Sequence, residues 1–142
     1  MTAKEFLRSI RDLEREVDRK IEHSLRLRSM AERMTSALDP NRGSGRTSSD
    51  KSSGIDRLVD LSREIDAEAR ELADLIIVAK TAISVVPDAR EREVLELRYL
   101  NGWGWRRIAV KMGCDRKSVW RLHGAALLRI QFPENMPQNA PS

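Results

Sequence analysis

The sequence predicts an all-α protein: a long N-terminal antiparallel helical hairpin of coiled-coil character, followed by a C-terminal three-helix domain. Three observations predict it. Two stretches, one before Pro40 and one between Ser53 and Pro87, carry apolar residues at alternating spacings of three and four. Aromatic residues make up only 4% of the 142 residues and charged residues 34%, a composition suited to surface-rich helices and poor for a thick globular core. The segment after Pro87 breaks into short apolar-periodic pieces punctuated by Asn101-Gly102 and Gly113.

The first helix starts almost at the first residue. Thr2-Ala-Lys-Glu5 is a capping box, in which Thr2 accepts from the backbone of Glu5 and Glu5 reaches back. Phe6, Ile10, Leu13, Val17, Leu27, Ala31, Met34 and Leu38 then form a narrow stripe, interrupted at Lys20 and Ser24, where Ile21 partly substitutes. Asp39-Pro40 ends it, and residues 39–53 contain no apolar side chain, so they are expected to be a flexible connector.

With Ser53 as N-cap, Ile55, Leu58, Ser62, Ile65, Ala69, Leu72, Ile76, Ala79, Ile83 and Val86 keep the repeat without a break, a coiled-coil signal that Leu61, Leu75 and Ala82 widen. Ile55, Leu58, Ile65, Leu72, Ile76 and Ile83 are the candidate oligomerisation seam. The connector is long enough to reverse direction, so residues 1–86 are expected to form the hairpin arm. Whether its two helices pair within one chain or between chains stays open.

Pro87 stops the second helix, and Asp88-Ala-Arg-Glu91 is a second capping box that opens a new one with Val94, Leu97 and Leu100 on its apolar face. A helix with Ile108, Ala109 and Met112 follows, then Gly113 as a left-handed terminator, Cys114 as a small apolar plug and Asp115 as N-cap of a last helix. That last helix carries Val119, Leu122, Ala126 and Ile130 on one side. This is the layout of a helix-turn-helix, so residues 87–131 are expected to be a three-helix helix-turn-helix domain, with Ala109 small where the helices cross. Trp103 and Trp105 either seal the small core or touch a backbone phosphate. Residues 132–142, with three prolines and no periodicity, are expected to be a disordered tail.

Charge is distributed unevenly. The chain is +4 overall, with a sequence pI near 9.6. Ile55 to Val86 holds four basic and seven acidic residues, whereas Gly102 to Gln131 holds seven basic residues against the single acid Asp115. A recognition helix needs cations for phosphates and planar donors for base edges. Arg116, Lys117, Trp120 and Arg121 are therefore the candidate base-reading residues, and Arg106, Arg107, Lys111 and Ser118 the candidate phosphate contacts. Trp120 either stacks on or touches a thymine methyl, or packs against a neighbouring helix.

Other functions are disfavoured. One cysteine excludes an internal disulfide, and the two histidines, His23 and His123, read as plain surface residues, so no metal site and no cofactor is expected. There is no glycine-rich phosphate loop and no nucleophile with a histidine partner, so the chain is not expected to be an enzyme. No apolar run approaches the length of a membrane span and no cleavable signal is evident, which points to a soluble, intracellular, cytoplasmic protein.

Arg90 to Ile130 resembles region 4 of the sigma-70 family, the module that reads the promoter −35 element. The resemblance rests on Glu93-Val94-Leu95 to Arg98-Tyr99, Asn101-Gly102, Ile108-Ala109, Gly113, Val119, Ala126-Leu127 and Arg129-Ile130. With the TAKEFL start and the paired helices, the whole chain is similar to small phage and prophage proteins with such C-termini, among them phage late-gene transcriptional activators. The resemblance implies double-stranded DNA as partner, transcription control, and RNA polymerase as a second partner. It matches Arg116 to a basic base-reading position, whereas Lys117 departs from a frequent acid and Arg121 from a frequent glutamine. The expected function is a sequence-specific, phage-type transcriptional regulator acting as a homo-oligomer, a dimer first. A DNA-packaging recognition subunit of the small-terminase kind and a coiled-coil adaptor without DNA binding are the alternatives.

Overall fold

A computed structural model of the chain describes residues 1–36 and 48–132. The expected connector from 39 to 47 and the expected tail beyond Phe132 lie outside the described residues. The described elements are all helical: α1 (Ala3–Ser36), α2 (Ser48–Ser84), α3 (Ala89–Leu95), which runs on into a π-helical turn (Glu96–Leu100), α4 (Trp105–Met112) and α5 (Arg116–Arg129). The predicted capping box at the start is present in both directions. Thr2 N donates to Glu5 Oε2 at 2.8 Å, and Glu5 N to Thr2 Oγ1 at 3.1 Å. α2 begins at Ser48, inside the stretch expected as connector. No glycine or proline stands between Arg46 and Ser53, so nothing there interrupts a helix growing back from the apolar repeat.

The chain divides into two compact units. One is Arg15–Arg70; the other joins Met1–Glu14 to everything from Glu71 onward.

In the unit Arg15–Arg70, α1 and α2 run antiparallel. Lys20 Nζ lies 2.5 Å from Glu68 Oε1 and 3.4 Å from Glu64 Oε2, while Leu61 sits further along α1, beside His23 and Arg26. The inward row of α1 is Val17, Lys20, Ser24, Leu27 and Ala31, and that of α2 is Leu58, Leu61, Ile65 and Glu68. Two details of the predicted stripes change. Lys20 keeps its place in the row through its ion pairs, so Ile21 does not substitute for it and stays 40% exposed. On α2 the row passes through Leu61 and Glu68, not Ser62 and Ala69, because Leu61 has the larger apolar surface to bury and Glu68 meets Lys20.

In the other unit, Phe6, Leu7 and Ile10 of α1 are fully buried, as are Ile83 and Ala79 of α2. Each large side chain of this kind contributes about 1.5–3 kcal/mol by leaving water. Phe6 also meets Phe132, ring centroids 4.6 Å apart. The junction after α2 is pinned by Arg92, whose Nη1 donates to Val86 O at 2.6 Å and Pro87 O at 3.1 Å. At the second predicted capping box only half forms. Asp88 Oδ1 accepts from Arg90 N and Glu91 N, but Glu91 turns inward, 4% exposed, and pairs with Arg129.

Candidate nucleic-acid interface

The interface candidate is built on α4, the turn after it and α5. Gly113 stands at φ +66°, a left-handed conformation that costs glycine nothing. Around it, Cys114 N donates to Ala109 O at 3.1 Å and Gly113 N to Val110 O at 3.3 Å, the paired bonds of a Schellman ending. Cys114, half-buried, packs against the buried cluster that includes Ile108 and Ala109. Asp115 then caps α5: its Oδ1 accepts from Ser118 N at 2.8 Å. That backbone bond, with the Ser118 hydroxyl second, holds the Asp115 carboxyl below the usual carboxylate range. Ser118 is thus engaged in the cap, which limits what its hydroxyl offers to a phosphate.

The apolar sides of α4 and α5 meet α3. Val94, Leu97, Ile108, Ala109 and Val119 form one buried cluster, with Trp103, Trp105, Met112, Cys114 and Leu122 packed around it. Both tryptophans at the start of α4 therefore seal the core. Each also carries a cation on its face: Arg107 lies 3.8 Å from the Trp103 ring centroid and Arg98 lies 4.2 Å from that of Trp105.

With Val119, His123 and Ala126 turned inward, helix geometry leaves Lys117, Trp120 and Arg121 away from the core, while Arg116 stands at the first turn of α5 nearer the inward side, and all four are exposed. Trp120 is 54% exposed, so it does not pack fully against a neighbouring helix. Arg106, Arg107 and Lys111 are exposed on α4. Arg106 and Arg116 border one shallow notch with Val110 and Gly113 between them. Of the candidate seam on α2, Leu58, Ile65, Leu72 and Ile76 are half-buried, Ile55 is 59% exposed and Ile83 is fully buried within its own unit.

His123 corrects the expectation of a surface residue. It is 9% exposed, hydrogen-bonded through Nε2 to Tyr99 Oη at 2.6 Å, with Trp105 edge-on at 4.8 Å between ring centroids. Burial, then Lys4 and Arg98, pushes its pKa down to about 4. Its spacing was the available signal: four residues after Val119 and three before Ala126, it falls on the apolar stripe of α5. The Glu91–Arg129 pair had no such signal, since the two are far apart in sequence and Glu91 also fitted a capping role.

Among the described residues, no helix is long and apolar enough to cross a membrane. Residues 88–130, under a third of the chain, match the family model for sigma-70, region 4. That region is a helix-turn-helix DNA-binding domain without enzymatic chemistry, and its bounds coincide with Asp88, the cap of α3, and Ile130, the last residue of the α5 stripe. No curated protein and no solved structure matches the chain.

Proposed function

We propose that the chain is a sequence-specific transcriptional regulator of the phage type, working in the cytoplasm of a bacterial host. α5 enters a major groove, with Arg116, Lys117, Trp120 and Arg121 toward base edges. Arg106, Arg107 and Lys111, with Ser118 at the helix start, face phosphates and fix the register without reading sequence. The α1–α2 arm either joins copies of the chain or touches RNA polymerase. The observation that carries the reading is the exposed row of three cations and one tryptophan on the second helix of a segment that matches sigma-70, region 4.

The reading is tested by selecting bound sequences from a random pool of duplex DNA, followed by mobility shifts at low and moderate salt. A defined motif is expected, with binding that weakens steeply as salt rises. A −35-like consensus would tie the chain to sigma-type promoter recognition, and a palindrome to a two-fold operator binder. No enriched motif and no shift at low salt would remove DNA from the account.

A further inference from the structure

We propose that two copies of the chain associate through one side of their α1–α2 hairpins, the side that carries Ile21, Leu25, Ile55 and Val59, to form a four-helix bundle. The contact defines the oligomeric arm of the proposed regulator and rests on that reading only for its purpose in the cell.

Within the unit Arg15–Arg70 three of these four residues stand one position after a member of the contact row, and Ile55 stands four residues before Val59 on the same side of α2. Ile21 follows Lys20, Leu25 follows Ser24 and Val59 follows Leu58. A step of one residue turns the side chain by about 100° in the same rotational sense on each helix. Because α1 and α2 run in opposite directions, equal turns of the same sense bring all four to the same side of the pair. Lys20 stands level with Glu64 and Glu68, and Leu61 lies beside His23 and Arg26, so the four follow one another along the hairpin in the order Ile21, Leu25, Val59, Ile55.

They are exposed by 40%, 57%, 44% and 59% in that order. Single exposed apolar residues are ordinary; four aligned on one side are not. Met30, 51% exposed, is the one large apolar residue turned to the opposite side among those described, and Met34 continues the contact row itself. The apolar surface of the hairpin is therefore one-sided, wider than a two-helix seam and of the kind that bundles of four helices bury.

Charge selects the occupant. On this side α1 presents Asp18, Arg28 and Glu32, and α2 Arg63, Asp66 and Arg70, all exposed. The two arms are opposite in sign and together neutral, which suits neither a polyanion nor a uniformly charged partner. A second copy related by a two-fold axis parallel to the hairpin sets the net acidic side of α1 of each chain against the net basic side of α2 of the other, and the same patch serves both chains.

Light scattering behind size exclusion, on the full chain without DNA and over a dilution series, tests this. The wild-type chain is expected at twice its 16.2 kDa mass. Leu25→Glu is expected at the single-chain mass with unchanged far-ultraviolet helicity, since its side chain is already more than half in water, and Val59→Glu repeats the test from the other helix. Met30→Glu, on the opposite side, is expected to stay at the double mass. A wild-type chain at single mass throughout, a larger closed assembly, a Leu25→Glu chain that still pairs, or equal loss in Met30→Glu each overturns the proposal. The mass is read without DNA, so a dimer that shifts no DNA removes the regulator reading alone. A monomer that does shift DNA removes this contact alone.

Discussion

Tyr99 Oη and His123 Nε2 share a hydrogen bond of 2.6 Å that ties the π-helical turn behind the supporting helix to the middle of α5. The imidazole is enclosed, and burial, with Lys4 and Arg98 adding to it, holds its pKa at about 4 against an ordinary 6.5. The folded chain thus binds this proton less readily than the unfolded chain. The stability linked to it is complete above pH 6.5 and is lost as pH falls from there toward 4. Between about pH 7.5 and about pH 5 the loss should reach about 2 kcal/mol. The capping carboxyls of Asp88 and Asp115 are held low and titrate beneath this window. Urea unfolding of the wild-type chain should show the slope and His123→Gln should flatten it; an equal slope in both would assign the effect elsewhere.

Glu91 and Arg129 tie the start of α3 to the end of α5. Glu91 Oε1 lies 3.3 Å from Arg129 Nη1, while its buried Oε2 has no partner. Removing the cation leaves a buried carboxylate uncompensated, so Arg129→Ala should destabilise the fold by about 1–3 kcal/mol. Glu91→Gln keeps the shape and removes the charge, and should cost less. Thermal melts of the two variants and of the double variant decide it. If Arg129→Ala melts with the wild type, the pair contributes nothing.

What was legible in the sequence follows from how local the determinant is. The capping box at Thr2, the Gly113 turn, the Asp115 cap and the inward side of α5 depend on residues within a few positions of each other, and each was readable from spacing. The row on α2 was readable only to within one residue, because the choice of Glu68 over Ala69 is made by Lys20 on the other helix. Glu91 looked like a capping residue because its local pattern fitted one; Arg129, distant in sequence, takes it instead. The burial of His123 is written in its place on the apolar stripe of α5, while its residue type points to the surface. The stacking of Arg107 on Trp103 depends on how the chain enters α4, which composition does not encode.

The turn between α4 and α5 should resist substitution for a backbone reason. A Cβ on Gly113 would meet open space, so the cost of Gly113→Ala comes from its positive φ alone, about 1–2 kcal/mol. Asp115→Ala removes the acceptor for Ser118 N and should cost about 0.5–2 kcal/mol. Chemical denaturation reads both. A Gly113→Ala chain as stable as wild type would mean that the turn relaxes out of the left-handed region.

The two groups of arginines should separate in DNA binding. Arg107, on α4, is held against the Trp103 ring and is proposed as a phosphate contact. Arg107→Ala should therefore weaken binding to selected and random DNA alike, and reduce the slope of log affinity against log salt by about 1. Arg116 is exposed on α5, as are Lys117, Trp120 and Arg121. Arg116→Ala should lose about 1–3 kcal/mol of discrimination at one base position while keeping most of its affinity for random DNA, and Arg121→Ala should do the same at another. Competition titrations of each variant against the selected site, its single-base variants and random duplex distinguish the cases. Should Arg116→Ala weaken all three equally, its guanidinium serves the backbone and the reading of bases falls to Lys117, Trp120 and Arg121.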